Sequence, residues 1–441
     1  MSAPLAQLID ERERVLASFL EGEQDRLARV CHEMALRFAR GGTLVAFGTG
    51  AAATDAAHVA VEFMHPVIVG KRALPAIAPS NDATGAASTA SVGRPDDIAL
   101  GIEHGPPDPA VDRFLHSSRR AGLLTIALTG PRDGTDADHA FAVPSRDPQV
   151  VQEVQETSYH VLWELVHVFF EHPGLLSDSC ITCGDVAVET QVVALDGSTA
   201  TVERDGLRED VATDLVEDVH VGDRVLCHAG VALERLPDDP SGFLYPFLGS
   251  GETDLEQVLA DVRASTVRKA QDAIALRRAI DVGEIERCAA DLRQRLEQGG
   301  RLIAFGNGGS ATDAQDAACD LAALGWPAVA LTDDVATVTA VGNDVGFDKV
   351  FARQLIALAR PADVVLAIST SGSSPNVIAG LEEAHRRGLM TCALTGYDGG
   401  RLAGLDWLDH LLIARSDYIP RLQEAHATMY HLLLEAVGGP R

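Results

Sequence analysis

The sequence predicts an α/β protein: two doubly wound parallel-sheet αβα sandwiches with a small antiparallel β-barrel between them. Three observations carry this. First, the chain repeats itself. "GTLVAFGTGAAATDAA" (Gly42 to Ala57) returns as "GRLIAFGNGGSATDAQ" (Gly300 to Gln315), "GLLTIALTG" (Gly122 to Gly130) as "GLMTCALTG" (Gly388 to Gly396), and "VQEVQETSYHVLWEL" (Val151 to Leu165) as "LQEAHATMYHLLLEA" (Leu422 to Ala436). The order is kept, which marks a duplicated domain of about 175 residues. Second, the short apolar runs inside each copy, such as Leu44 to Phe47, Ala99 to Ile102 and Leu124 to Leu128, are continuous rather than alternating. Runs of that kind, separated by stretches with helical spacing, are buried parallel strands flanked by helices. Third, Gly184 to Leu236 is rich in Val and Thr, alternates, and turns at "LDGS" and "RDG", the texture of a small barrel.

In chain order, the first copy takes residues 1–176, opening with an amphipathic helical region from Leu5 to Ala39 and closing with another from Pro148 to Glu171. The barrel takes 177–236, and "PDDPSG" (Pro237 to Gly242) begins a linker over 237–252. The second copy takes 253–441, with helical regions at Leu255 to Glu297 and Arg421 to Val437.

At 441 residues with 46% hydrophobic residues, the chain can bury several cores. Its 64 acidic against 36 basic residues leave a net charge of −28, which repels a phosphate backbone or an anionic bilayer. Neither nucleic acid nor a membrane is an expected partner. No apolar run approaches the ~20 residues that span a bilayer, and the acidic, amphipathic start "MSAPLAQLIDERERVL" is no leader; a soluble, cytoplasmic protein is expected. Seven cysteines make no disulfide framework, and only Cys180 and Cys183, in "CITC", are close together.

The chemistry concentrates in two loops of the second copy. The strand at Arg301 to Phe305 runs into Gly306, Asn307, Gly308, Gly309 and Ser310 before a helix begins near Ala311. Glycines let a ligand approach the backbone, and the helix start offers unpaired N–H groups. The strand at Val364 to Ile368 ends in "STSGSSPN", with five hydroxyl side chains in six positions ahead of a helix. Open parallel sheets bind ligands at the carboxyl ends of their strands, and these groups can hold the oxygens of a phosphate monoester.

"GNGGS", "VGNDVGF", "STSGSSPNVI", "LTGYDGG" and "LQEAHATMYH", in that order, resemble the sugar isomerase (SIS) domain, a flavodoxin-like sandwich, and specifically its phosphoheptose isomerase branch. The resemblance implies that Asn307, Gly308, Ser310, Asp344, Ser369, Thr370, Ser371, Ser374 and Gln423 bind a sugar phosphate such as sedoheptulose 7-phosphate. It implies an aldose–ketose isomerisation through an enediol, which needs a base and an acid at the carbonyl pair. The family draws these from a Glu and a His, near a divalent metal in some members.

Each copy lacks half of this equipment. On the helix after GNGGS the family carries His and, one turn on, Glu. The first copy has them as His58 and Glu62, where the second has Asp316 and Asp320. The first copy has in turn lost its cradle: Thr49, Ala51 and Ala52 stand for Asn307, Gly309 and Ser310, and "EHGPPD" (Glu103 to Asp108) stands for the serine loop. Its His58, Glu62, Gln152 and His160 resemble the family's zinc-site residues, and zinc is the expected cofactor. His58, Glu62, His160 and His431 are the candidates for acid–base work. Gln152 and His160 are eight residues apart, ~12 Å along a helix, so one ion reaches both only if they lean inward. Members of the family assemble so that neighbouring modules share a site. That implies a homo-oligomer, and here the two fused copies could supply the pair internally.

The segment from Cys180 to Leu236, through "CITCGDVA" and "VGDRVLCHAGVALERL", resembles the HupF/HypC family of hydrogenase maturation chaperones. That resemblance implies an iron site at Cys180 and His228, with hydrogenase maturation proteins as partners. Two functions are therefore expected in competition. One is a phosphosugar isomerase; the other is a hydrogenase metallocentre maturation factor that uses its sandwiches as a sugar-phosphate sensor or scaffold.

Overall fold

A five-residue apolar run can satisfy its backbone and bury both faces only inside a sheet. The computed structural model of the chain places β1 (Leu44–Gly48) there, with all five residues buried. It describes residues 2–66, 71–79, 93–132, 134–176, 188–197, 199–204, 207–213, 216, 219–228, 231–236 and 255–440. In the first copy, α1 (Ser2–Ala39) precedes β1. Then follow α2 (Ala52–Met64), β2 (Ala76–Ile77), β3 (Ile98–Ile102), α3 (Pro109–Arg120), β4 (Leu124–Thr129), β5 (His139–Ala142) and α4 (Pro148–Phe170). The sheet runs β2-β1-β3-β4-β5 with every pair parallel. Helices α3 and α4 start at capping aspartates: Asp108 and Asp147 accept from the backbone N–H two residues on, and each is followed by Pro in the first turn.

The insert forms β6 (Val188–Asp196), β7 (Thr199–Arg204), β8 (Leu207–Ala212), β9 (Arg224–His228) and β10 (Val231–Leu236), closed in the order β10-β8-β7-β6-β9. Four of its pairings are antiparallel and the closing one, β10 to β8, is parallel. The expected antiparallel barrel is present, with one parallel seam. Strands that alternate in direction around a ring of odd number must meet once in parallel.

The second copy comprises α5 (Leu255–Arg278), α6 (Val282–Glu297), β11 (Leu302–Gly306), α7 (Gly309–Ala323), β12 (Ala328–Ala330), α8 (Val335–Asp344) and α9 (Val350–Leu358). It continues with β13 (Val364–Ser369), α10 (Pro375–Arg386), β14 (Met390–Thr395), β15 (His410–Ile413) and α11 (Ile419–Val437). Its sheet, β12-β11-β13-β14-β15, repeats the first copy's order. The helical region expected over 255–297 is two helices, because Asp281 caps a new start at α6 by accepting from the Glu284 N–H.

The opening helices reach across the interface, α1 by its first turns and α5 along most of its length. Leu5 and Ile9 of α1 belong to the second copy's core, beside Leu276, Ile285 and Leu292. Val258, Leu259, Val262, Ala270 and Ala273 of α5 belong to the first copy's core, beside Leu16, Phe19 and Leu27. A buried charge network seals the same interface. Glu153 on α4 receives Arg12 from α1 at 2.8 Å, Thr428 from α11 at 2.7 Å and the His431 ring at 2.8 Å, with Arg277 at 3.5 Å. Burial alone would raise the Glu153 carboxyl, but Arg12, His431 and Arg277 together hold it far below the ordinary range. No helix among the described residues is long and apolar enough to cross a membrane.

Candidate active site between the two copies

In both sheets the chain reverses its winding between the first and third strands, and the crevice outside the carboxyl ends there is where such sheets take ligands. In the second copy this puts the end of β11 beside the end of β13, in register from Leu302 with Val364 to Gly306 with Ile368. The two loops are stitched by reciprocal side-chain amide bonds, Asn307 to Asn376 at 2.9 Å and Asn376 to Asn307 at 2.8 Å. Gly308 turns at φ +57°, a conformation that a side chain strains, and lies exposed at the head of α7, with Ser310 buried behind it. Across the crevice Ser369 and Ser374 share a hydroxyl bond at 3.1 Å, Ser371 is exposed and accepts from the Ser373 N–H, and Thr370 offers its carbonyl to Gly396. The structure thus brings Asn307, Gly308, Ser310, Ser369, Thr370, Ser371 and Ser374 to one rim. Asp344 is different: it ends the exposed helix α8 and bonds only its neighbour Asn343 among the hydrogen bonds found.

Against this rim stands the first copy. A Cβ on Gly309 would lie 2.6 Å from His58 Nε2 and closer still to the Gln423 amide, so any larger residue there would push these side chains aside. His58 Nε2 is 3.0 Å from Gln423 Nε2 and 3.7 Å from Glu62 Oε1, and the Gln423 amide reaches Glu62 at 3.3 Å. The His58 and His160 rings meet edge to face at 5.3 Å. His58, Glu62 and His160 can each point a ligand atom to within 4.8 Å of the others, and all three are buried.

The second copy also supplies the carboxylates behind these rings. His160 Nδ1 bonds Glu424 at 2.9 Å, which Arg421 holds at 2.6 Å, while His58 Nδ1 faces Asp313 at 3.7 Å. What remains is a buried knot of atoms with no partner: Glu62 Oε2, His160 Nε2 and Gln423 Oε1. A half-turn of the Gln423 amide presents its oxygen to the cluster. Two imidazoles, a carboxylate and an amide oxygen are a donor set suited to a divalent ion such as zinc.

Electrostatics separate the roles within the cluster. Burial pulls His58 down, but the facing Glu62 carboxylate and the charges of Asp313 and Asp55 override this and leave it raised. Burial lowers His160 in spite of Glu424, so that ring is held neutral. Glu62 is lowered against burial, chiefly by His58, and stays a carboxylate. Burial raises Asp313 to about 8 and raises Glu156 well above the usual carboxylate range.

Gln152, expected beside His58, is found elsewhere: its amide bonds Asp55 at 3.1 Å and Asp316. The separation along α4 explains this. Gln423 arrives from the other copy where Gln152 would have had to lean, and Gln152 crosses in the opposite sense into a mirrored set. That set holds Asp316, which accepts from Thr54 and Tyr430 at 2.9 Å each, Asp320, which accepts from Gln149 at 3.2 Å, and His431, bonded to Glu153 and 3.6 Å from Asp320. His431 is therefore placed with the mirrored set. Beside it, a cavity of about 270 Å³ is lined by Thr49, Glu103, His104, Asp108, Gln149 and Asp320. Glu103, in the serines' stead, is buried and paired with Arg132 at 2.6 Å.

Sequence reading did not single out Asp313, Glu424, Glu153 or Glu156. The signal for three of them was recurrence, since Asp313 matches Asp55 and Glu424 matches Glu153, whereas Glu156 matches Ala427. Cys180 and Cys183 lie outside the described residues, as does the side chain of His228, whose backbone ends β9.

Comparison with known proteins agrees with this architecture. The SIS domain family matches residues 267–396, and the HupF/HypC family matches residues 186–240. The phosphoheptose isomerase of Solidesulfovibrio magneticus is 45% identical over 159 residues, 35% of this chain and 76% of that protein. That of Trichlorobacter lovleyi is 41% identical over 180 residues, 38% of this chain and 90% of that protein. The C-terminal domain of glucosamine-fructose-6-phosphate aminotransferase from Francisella tularensis superposes on 98% of this chain with a TM-score of 0.57 at 10% identity, a likeness of fold alone. The chain belongs to the SIS family of phosphosugar isomerases. Within that family its relatives are phosphoheptose isomerases, here carried in a tandem chain with a HupF/HypC-type barrel between the copies.

Proposed function

We propose that the chain isomerises a phosphorylated ketose to its aldose, with sedoheptulose 7-phosphate the first substrate to try, in a single site built from both copies. The observation that carries this is Gly309: the phosphate loop of the second copy lies directly against His58 of the first. In this reading the phosphate sits on the N–H groups at the head of α7 and on the hydroxyls of Ser369, Ser371 and Ser374. That leaves the carbonyl end of the sugar toward His58, Glu62 and His160.

Glu62, kept ionised and with Oε2 unpartnered, takes the proton from the carbon next to the carbonyl. The enediol that results is reprotonated on the neighbouring carbon, while a hydroxyl proton passes between the two oxygens. His160, neutral and bonded to Glu424 through Nδ1, keeps its Nε2 lone pair free as a ligand. Zinc held by His58, Glu62, His160 and Gln423 would polarise the carbonyl and steady the developing negative charge. Closed walls from two copies exclude water from the intermediate. Exposed Val335, Val345 and Phe347, on and after a helix with no buried residue, support assembly into a homo-oligomer.

The test is direct: purified chain is incubated with sedoheptulose 7-phosphate, the aldose is followed and bound metal is measured. Turnover lost on stripping the metal and regained with zinc is the expected result. A chain that binds the ester without converting it overturns the reading.

A second reading, a maturation factor with a sugar-phosphate sensor, is favoured by the HupF/HypC match. Iron co-purifying with the wild-type chain and lost on Cys180→Ala would support it.

A further inference from the structure

We propose that Asp313 is a positioning residue that couples phosphate binding at the Gly308 to Ser310 loop to the orientation of His58, and through it to metal affinity. The inference rests on the metal reading above. Helix α7 flanks the His58 ring on both nitrogens: Gly309 lies against the Nε2 side, and Asp313, one turn further along the same helix, faces Nδ1 at 3.7 Å. A metal-bound imidazole is fixed in tautomer and direction by the carboxylate on its other nitrogen. For His160 that bond is already made, by Glu424 at 2.9 Å. For His58 it is half an ångström short of the ~3.2 Å limit of a good hydrogen bond.

Asp313 is free to close the gap. It is 4% exposed, its Oδ2 has no partner, and on its other side stands Glu156, 3% exposed, whose Oε1 is also unpartnered. His58, Glu156 and Asp313 can each place a ligand-type atom within 4.8 Å of the others. The crowding of Asp313 against a second carboxyl leaves the imidazole as its better neighbour.

The same helix begins at the phosphate loop. An anion drawn onto the N–H groups at the head of α7 pulls on the turn that carries Asp313, and a small advance of that turn seats a carboxyl oxygen on Nδ1–H. His58 Nε2 is then aimed into the cluster with Glu62, His160 and Gln423. Bound substrate would thus tighten its own catalytic ion, and the ion would tighten the ester by the same factor.

The test uses the full chain stripped of metal, Co2+ as the probe ion and glycerol phosphate as the probe ester. Calorimetry reads the affinities and the visible absorption of Co2+ reads ligand geometry. In the wild-type chain the ester should tighten Co2+ by at least about fivefold and change its spectrum. Asp313→Asn should weaken Co2+ about 10–100-fold, abolish the ester's effect and leave ester affinity of the metal-free chain as it was; Asp313→Glu should restore part of both. Wild-type chain that binds Co2+ with no response to the ester overturns the coupling, and this arm needs no variant to fold. Wild-type chain that binds no Co2+ overturns the metal reading as well, so the two failures are told apart.

Discussion

Two clusters sit at the interface on equivalent positions of the repeat, and they have been finished differently. One holds His58, Glu62 and His160 with Gln423 from across the interface; the other holds Asp316, Asp320 and His431 with Gln152 from across the interface. In the first, three buried ligand-type atoms have no protein partner. In the second, Asp316 accepts from Thr54, Tyr430 and Gln152, and Asp320 from Gln149, leaving His431 Nε2 as its unpartnered ligand-type atom. The first has been left open to a ligand, and the second has been largely satisfied from within. The loops follow suit: glycine and serine meet the imidazole cluster, whereas Ala51, Ala52 and Glu103 border the carboxylate one. An interface with two-fold character, in which each contact recurs with the roles reversed, has kept its frame and lost its chemical symmetry.

The sharpest way to break this comparison is to alter counterpart residues. Glu62→Ala should cost about 10²–10⁴ in turnover, the range of a lost general base, while Asp320→Ala should leave turnover within about threefold, the effect of a change outside the working site. Equal losses would make both clusters catalytic and end the distinction.

Next in size is the shared frame. Glu153→Gln leaves Arg12 and Arg277 buried without their carboxylate, a loss of about 3–5 kcal/mol on the scale of broken buried pairs, readable as a fall in denaturation midpoint. The pH dependence has a definite sign. A carboxyl held below its ordinary value in the folded chain binds fewer protons there than when unfolded. Its stabilisation is complete above the unfolded value near 4.5 and is lost as pH falls below it. Glu153→Gln should flatten that acid limb; an unchanged limb would place the acid sensitivity elsewhere. The smallest expected effect is at the cradle: Ser371→Glu should weaken a phosphate ester by at least about tenfold through like-charge repulsion without altering the melting temperature. Unchanged affinity would remove the phosphate from this loop.

The parts of this arrangement that follow from local pattern were legible in the sequence. Continuous apolar runs announced the parallel strands, and the matched segments announced the duplication. The unequal losses in the two copies also showed that neither could hold a complete site. What was not legible is what depends on crossing the interface. Gln152 and Gln423 occupy the same place in their repeats, and only the fold decides which of them meets His58. Nor does any local pattern show that Glu424 backs His160 while Glu153 backs His431, since partners more than 250 positions apart leave no periodic trace. The parallel seam of the barrel was hidden for a different reason: it follows from the number of strands and not from the residues in any one of them.

The opening helices that reach across the interface bear on how the molecule holds together when its backbone is cut. Leu5 and Ile9 are rooted in the far sandwich, and Val258, Leu259 and Val262 return the anchorage. A protease that severed the chain between Leu236 and Leu255 would therefore remove a tether without removing the grip. The two fragments remain clasped through the first turns of α1 and the length of α5, losing only the high local concentration that a covalent link provides. Such a nicked molecule should travel as one particle through a sizing column and part only in denaturant, and the two halves, made as separate polypeptides, should find each other and rebuild the crevice they share.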